Sequence, residues 1–315
     1  MSNEELKTKS LGWIGTGRMG YAMAERLAKA GCDLSVWNRT RSKAEPLSEH
    51  GATIIDGVAE LNGKDIVFFM VATQDHLVDL LFGDAGVLSG DSKPTTIVDC
   101  TSISAEVSAE VRERLSALGI EYIAAPVSGN AKCVKAGELS VVASGPEAVF
   151  ESVRPFLEII GGQGATWVGE GELSRIVKIC HNVFLGVVTQ SMSELIVLAQ
   201  KAGVPRHAFL DFMNKSVMGS VFTRYKSPAW VNLDWNITFT PELMRKDMDL
   251  GLALGRKHEV PMPTATVSRD IMQSSMGRGN RETMDFSIVL EYMAESSGVK
   301  LDPENVKVLS GLETD

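Results

Sequence analysis

The stretch SLGWIGTGRMGYAMAERLAKAG, residues 10–31, constrains this chain more than any other. A short apolar run (10–15) ends in glycine, a GxGxxG turn (15–20) follows, and a helical pattern fills 21–31 with Gly31 as its stop. Gly15 permits the tight turn, Gly17 lets backbone approach a pyrophosphate, and Gly20 lets the helix pack closely on the strand. The start of the helix then offers N–H groups to phosphates. Alone, GxGxxG is a weak sign, and a glycine-rich turn without a ligand is the plain alternative. In the order strand, glycines, helix it reads as a dinucleotide turn, with Gly15, Thr16, Gly17, Arg18, Met19 and Gly20 against the cofactor.

Further apolar runs follow at 33–38, 65–71, 95–100 and 121–127, rich in β-branched and aromatic residues. They are too continuous for strands with one wet face, so they predict a parallel sheet buried on both sides with crossover helices between. LSVVASG (139–145) and ATWVG (165–169) can add two more strands. From about Leu173 to Ala202 the chain reads as one long proline-free helix, interrupted only by Gly186, and helical patterns continue beyond it. The expected organisation is an α/β, doubly wound, mostly parallel domain over 1–171 and an all-α domain over 172–315 opened by that helix. Two domains also suit a chain of 315 residues. The last stretch, SSGVKLDPENVKVLSGLETD, is polar and expected to be mobile at its end.

A net charge of −9 argues against nucleic acid as a partner. The N-terminal MSNEELKTKS shows no secretory signal, and no apolar run reads as long enough to cross a membrane. The four cysteines are dispersed and form no CxxC pair, which suits reduced thiols in the cytoplasm. Cys180 reads as a packing residue. The five histidines lack metal-ligand spacing, so no metal is expected.

The end of the second strand bears on which dinucleotide binds. NAD sites usually place a carboxylate there for the ribose 2′-hydroxyl. This chain has Asn38, then Arg39, Thr40, Arg41 and Lys43. Asparagine does not repel a 2′-phosphate, and Arg39 can bond to one and lie across the adenine. A solvated basic turn is the alternative. The missing carboxylate favours NADP(H) over NAD(H), with Asn38, Arg39 and Thr40 as contacts.

Two more stretches bear on chemistry. AAPVSGN (124–130) ends a strand, where open α/β sheets bind ligands; Ser128 supplies a hydroxyl, and Gly129 lets backbone N–H groups face an anion. IVKICHN (176–182) places Lys178 and Asn182 four apart on one helix face, with His181 close to it. Apolar neighbours disfavour a charged lysine, which moves it toward the range of a general base. On this stretch alone, a lysine reaching out to solvent from a half-buried helix is the plainer reading.

Taken together, GWIGTGRMG, APVSGNAKCVKAGELSVVASG, the Lys178–Asn182 pair, RKDMDLGLA (245–253) and MDFS (284–287) stand in the order and spacing of a known family. The chain resembles the β-hydroxyacid dehydrogenases, whose members include 3-hydroxyisobutyrate dehydrogenase, the semialdehyde reductases and, more distantly, 6-phosphogluconate dehydrogenase. The resemblance implies a Rossmann domain joined to a helical domain, a homodimer or homotetramer, and a small carboxylate-bearing substrate. It implies Lys178 as general acid/base, with Asn182 helping to orient the substrate carboxylate. Ser128 and Gly129 would hold the substrate carboxylate, and Val71, Ala72, Ser102 and Lys246 would join the cofactor contacts.

The departures are specific. Asn130 replaces the second glycine of the substrate motif and adds a hydrogen-bonding side chain. His181 replaces an asparagine and matches the Lys-x-x-His-Asn order of 6-phosphogluconate dehydrogenase. Both are expected against the substrate. Glu172 and Ser174 stand where glycines are usual. Two alternatives share the fold: an imine reductase and a non-catalytic dinucleotide-binding protein. Both typically lack the lysine that this chain keeps.

Overall fold

The computed structural model describes residues 8–279, 281 and 283–313. The N-terminal segment read for targeting therefore lies largely outside the described residues. The chain divides after Lys178 into two compact units.

The first unit is built on a six-stranded, wholly parallel sheet of order β3-β2-β1-β4-β5-β6. Its strands are β1 (Ser10–Ile14), β2 (Asp33–Trp37), β3 (Thr53–Ile54), β4 (Ile66–Phe69), β5 (Thr96–Asp99) and β6 (Glu121–Ala124). The continuous apolar runs bury both faces, as expected. Alternation along each strand sends Leu11, Trp13, Phe68 and Val98 to one side and Ile14, Val67, Phe69 and Ile97 to the other. The first side is covered by helices Arg18–Lys29 and Glu147–Gly161, through Met23, Leu27, Phe150 and Phe156. The second is covered by helices Gln74–Phe82 and Ala105–Ser116, through Leu77, Leu81, Val111 and Leu115.

LSVVASG and ATWVG do form strands, β8 (Leu139–Ala143) and β9 (Gly162–Trp167), but they do not extend the main sheet. With β7 (Val127–Ser128) they make a separate mixed sheet of order β7-β8-β9. The chain changes sheet after β6 because Pro126 cannot donate a ladder hydrogen bond; its carbonyl instead accepts from Val142 N at 3.1 Å.

The long helix spans Leu173–Lys201. By length and composition it is apolar enough to cross a membrane, which corrects the expectation that no run is. Of its most apolar window, 44% is buried within the protein. Its one internal glycine has a packing reason. A Cβ on Gly186 would stand 2.6 Å from Met248 Sδ, and one on Gly251 would stand 2.1 Å from Val183 Cγ2. The long helix and helix Pro241–Lys257 thus approach closely where both lack side chains.

The remaining helices of the second unit are Arg206–Lys215, Val221–Asn232, Pro263–Met276 and Val289–Ser296. Their apolar faces meet around Ile196, Leu210, Trp230 and Leu290, and around Met244, Met248 and Phe286. The polar C-terminal stretch is held, not loose. Val299, Leu301, Val306 and Val308 pack on this core, and Glu304 accepts from the backbone N–H of Arg206 (2.7 Å) and His207 (2.9 Å). Only its last two residues fall outside the described residues.

Candidate active site

The glycine turn has the geometry its sequence requires. Gly15 sits at φ +99°, and a Cβ there would be 2.3 Å from Met70 O. A Cβ on Gly20 would be 2.0 Å from Gly15 O. At Gly17 a Cβ would meet nothing within 4 Å among the described residues. Two glycines are therefore demanded by the fold, while the third keeps open the space over the helix start. No side chain caps that start and no acidic residue lies in its first turn. The first helical bond runs from Tyr21 N to Gly17 O at 3.0 Å, so the preceding N–H groups have no partner within the helix. Thr16 is buried, and its Oγ1 has no partner among the described residues. An open cradle, free helix N–H groups and an orphaned hydroxyl fit a dinucleotide pyrophosphate.

Asn38 has a role that sequence reading missed. Its Oδ1 accepts from Thr16 N (2.9 Å) and its Nδ2 donates to Thr40 O (2.9 Å), so it clamps the glycine turn to the end of β2. Arg41 is drawn away to Asp56 (2.5 Å) and Ile55 O (3.2 Å). Arg39 is exposed, forms no ion pair among the described residues and lies 3.5 Å from His76 Nε2. His76 was not anticipated; its position on helix Gln74–Phe82 gave no local signal. Val71 N donates to Thr101 Oγ1 (3.2 Å), which brings the loops after β4 and β5 together, with Ala72 and Ser102 exposed on them.

Ser128 closes β7 and is half-buried. Gly129 follows at φ +134°, where a Cβ would stand 2.9 Å from both Cys133 Cβ and Leu139 Cδ1. Asn130 caps the short helix Ala131–Lys135, its Oδ1 accepting from Lys132 N (2.9 Å) and Cys133 N (3.2 Å). Its Nδ2 is shielded from water and has no partner among the described residues.

The start of the long helix is tied into the first unit by polar contacts. Ser174 Oγ donates to Ala124 O (2.9 Å), and its N–H donates to Ser144 Oγ (3.1 Å). Glu172 accepts from Arg112 Nε at 2.9 Å. The two departures from glycine are thus anchors. Arg175 is 2% exposed and pairs with Asp99, which is fully buried, at 2.5 Å. Burial disfavours the Arg175 charge, but Asp99 outweighs it and holds the guanidinium above its ordinary value. Burial pushes the neighbouring Tyr122 hydroxyl upward as well. A lone aspartate ending a buried strand was the available signal, since such a charge demands a partner. Lys178, half-buried, lies one turn beyond Arg175.

In the second unit, His181, Asn182 and Lys246 are joined through a residue the sequence reading left unassigned. Asn182 Nδ2 donates to Asp247 Oδ2 (2.6 Å), and Lys246 Nζ pairs with Asp247 Oδ1 (3.0 Å). A carboxylate only accepts, so the Asn182 amide is oriented with Oδ1 toward His181 Nδ1, 2.9 Å away. His181 must therefore donate from Nδ1. Asp285 of the MDFS motif accepts from Lys226 Nζ (2.6 Å), Thr238 Oγ1 (2.7 Å) and Ser287 Oγ (2.6 Å) in the core of this unit. Cys180, expected to pack, is exposed beside an apolar groove of about 550 Å³ that it lines with Phe184 and Val260. Among the described residues no group of three or more His, Cys, Asp or Glu is placed to hold a metal.

Comparison with known proteins follows the two units closely. The NAD binding domain of 6-phosphogluconate dehydrogenase matches residues 10–169, and the NAD-binding domain of NADP-dependent 3-hydroxyisobutyrate dehydrogenase matches 172–293. Glyoxylate/succinic semialdehyde reductase 1 of Arabidopsis thaliana is 31% identical over 89% of this chain and 97% of its own length. A crystal structure of 3-hydroxyisobutyrate dehydrogenase from Salmonella typhimurium superposes with a TM-score of 0.78 at 25% identity, covering 90% of this chain and 99% of that one. An imine reductase from Myxococcus stipitatus in complex with NADP+ gives a TM-score of 0.58 at 25% identity, with coverage of 90% and 99%.

Proposed function

The chain belongs to the β-hydroxyacid dehydrogenase family, NAD(P)-dependent enzymes of small hydroxy acids, and from that premise we propose that it moves hydride between NADP(H) and the β-carbon of a short 3-hydroxy acid or semialdehyde. The observation that carries the reading is the pair Lys178 and Asn182 on one face of the long helix, with Asn182 held by Asp247 and His181.

When bound, the nicotinamide supplies or accepts the hydride at C4. Lys178 takes the proton from the β-hydroxyl in oxidation and returns it to the carbonyl oxygen in reduction. Ser128 and the Gly129 backbone hold the substrate carboxylate, and Asn130 Nδ2, without a partner among the described residues, adds a donor. Asn182 orients the reacting hydroxyl. Gly17 and the helix start would hold the pyrophosphate, and Arg39 would hold the 2′-phosphate. Arg39, exposed and in no ion pair among the described residues, and the absence of a carboxylate at position 38 support NADP(H) over NAD(H).

The test is a spectrophotometric screen of NADPH and NADH with glyoxylate, succinic semialdehyde and other short aldehyde acids, and of NADP+ with 3-hydroxy acids. A Lys178→Ala variant run beside it is expected to lose turnover by about 10²–10⁴-fold while still binding NADPH. Full activity in that variant would disprove the acid/base role. An imine reductase would instead consume NADPH with a cyclic imine and ignore the aldehydes. The shared fold raises that reading, and Lys178 opposes it.

A further inference from the structure

Arg175 makes more contacts than anchoring a helix requires. Its Nη2 pairs with Asp99 Oδ2 (2.5 Å) and lies 3.2 Å from the Tyr122 hydroxyl oxygen. Its Nη1 donates to Thr101 O (2.5 Å) and its Nε to Ser108 Oγ (3.3 Å). Asp99 in turn accepts from Thr101 N (2.9 Å) and the Tyr122 hydroxyl (3.1 Å). Thr101 Oγ1 accepts from Val71 N (3.2 Å). One guanidinium therefore joins the end of β5, the loop after it and, through Thr101, the loop after β4.

A buried ion pair is a weak source of stability, because removing both charges from water offsets most of their attraction. What it supplies is geometry. The planar fork of an arginine directs its donors along fixed lines, so the partners fit in one arrangement. Here that arrangement holds the loops bearing Val71 and Ser102, both assigned to the cofactor. Arg175 also lies three residues before Lys178 on a rigid helix, about 4.5 Å along its axis. The Ser174 bond to Ala124 O ties the same turn of the helix to the end of β6.

We propose that Arg175 is a positioning residue for the reaction: it fixes Lys178 relative to the strand-end loops that hold the nicotinamide cofactor. This rests on Lys178 being the acid/base. Asp99, Tyr122 and Thr101 complete the arrangement. Losing it leaves the cofactor cradle at Gly15–Gly20 intact and misplaces the lysine against the reacting carbon. Small displacements of that kind slow the chemical step far more than they weaken binding.

The test uses the full chain and the variant Arg175→Lys, which keeps the charge and loses the fork. NADPH affinity is measured by fluorescence titration, and the single-turnover rate of NADPH oxidation is measured with glyoxylate and with succinic semialdehyde. The expected result is a single-turnover rate at least tenfold lower, a loss larger than any rise in the NADPH Kd. A folded Arg175→Lys whose rate stays within threefold overturns the proposal. So does a rate loss no larger than the loss of NADPH affinity. If Arg175→Lys does not fold, Tyr122→Phe decides: a rate threefold or more lower with unchanged NADPH Kd supports the proposal, and the parent rate overturns it. Lys178→Ala separates the two claims. If it retains turnover, the acid/base assignment fails; if it is inactive while Arg175→Lys is not, only the positioning role fails.

Discussion

Asn182 Nδ2 and Asp247 Oδ2 are 2.6 Å apart, joined across 65 positions of sequence. The contact sits beside the crossing where Gly186 and Gly251 let two helices approach. Asp247 leaves the Asn182 amide one orientation, and His181 completes it by donating to Oδ1. The same carboxylate holds Lys246, so a residue that need touch neither cofactor nor substrate organises three that are expected to.

Asp247→Ala removes the acceptor of a charge-assisted hydrogen bond, worth about 1.5–3 kcal/mol. It is expected to lower kcat/KM by about 10–100-fold, measured by steady-state kinetics, with the fold retained. Asp247→Asn keeps an acceptor and is expected to lose less. If Asp247→Ala were within threefold of the parent, Asn182 would not depend on this contact.

Arg39 is an exposed cation just after β2, and Arg41, two residues on, is paired with Asp56. Arg39→Ala is expected to raise the NADPH Kd by about 10–100-fold, the effect of losing one charge-assisted contact. The NADH Kd should move by less than threefold. Equal losses in the two titrations would show that Arg39 does not select the 2′-phosphate.

The glycine turn separates folding from binding. A Cβ at Gly20 collides with Gly15 O at 2.0 Å, so Gly20→Ala must displace backbone and is expected to cost about 1–3 kcal/mol of stability. Gly17→Ala meets no neighbour within 4 Å among the described residues. It is expected to keep the parental Tm in thermal unfolding while weakening NADPH binding at least tenfold. A large Tm loss in Gly17→Ala, with binding intact, would contradict the assignment of the open space to the pyrophosphate.

Asp285 provides a pH signature. Burial raises its pKa, but Lys226, Ser287 and Thr238 together outweigh that and hold it below the ordinary carboxylate value. A carboxylate with a depressed folded pKa adds stability above its unfolded pKa of about 3.9, and that stability is lost as pH falls through the lower folded value. Asp285→Asn leaves Lys226 buried without its counter-charge and is expected to cost about 3–5 kcal/mol at neutral pH. In chemical denaturation the gap from the parent should be constant above about pH 5 and narrow below about pH 4. A gap independent of pH down to acid unfolding would mean that the charge of Asp285 is not what stabilises the unit.

By itself the sequence determined the local and periodic features. Strand, glycine turn and helix at 10–31, the doubly buried runs of a parallel sheet and the long helix from Leu173 were legible because each depends on neighbours in sequence or on a short repeat. Lys178 and Asn182 could be placed on one face for the same reason. The tertiary structure alone decided what those residues are paired with. β8 and β9 joined a second sheet because strand partners are chosen by chain path, which alternation does not encode. Asn38 became a clamp, Asn130 a helix cap, and Ser174, read as a departure, became an anchor. Arg175 with Asp99 and Asn182 with Asp247 are contacts across 76 and 65 positions. A polar side chain announces that it needs a partner when buried, but only the folded backbone determines which partner comes within reach.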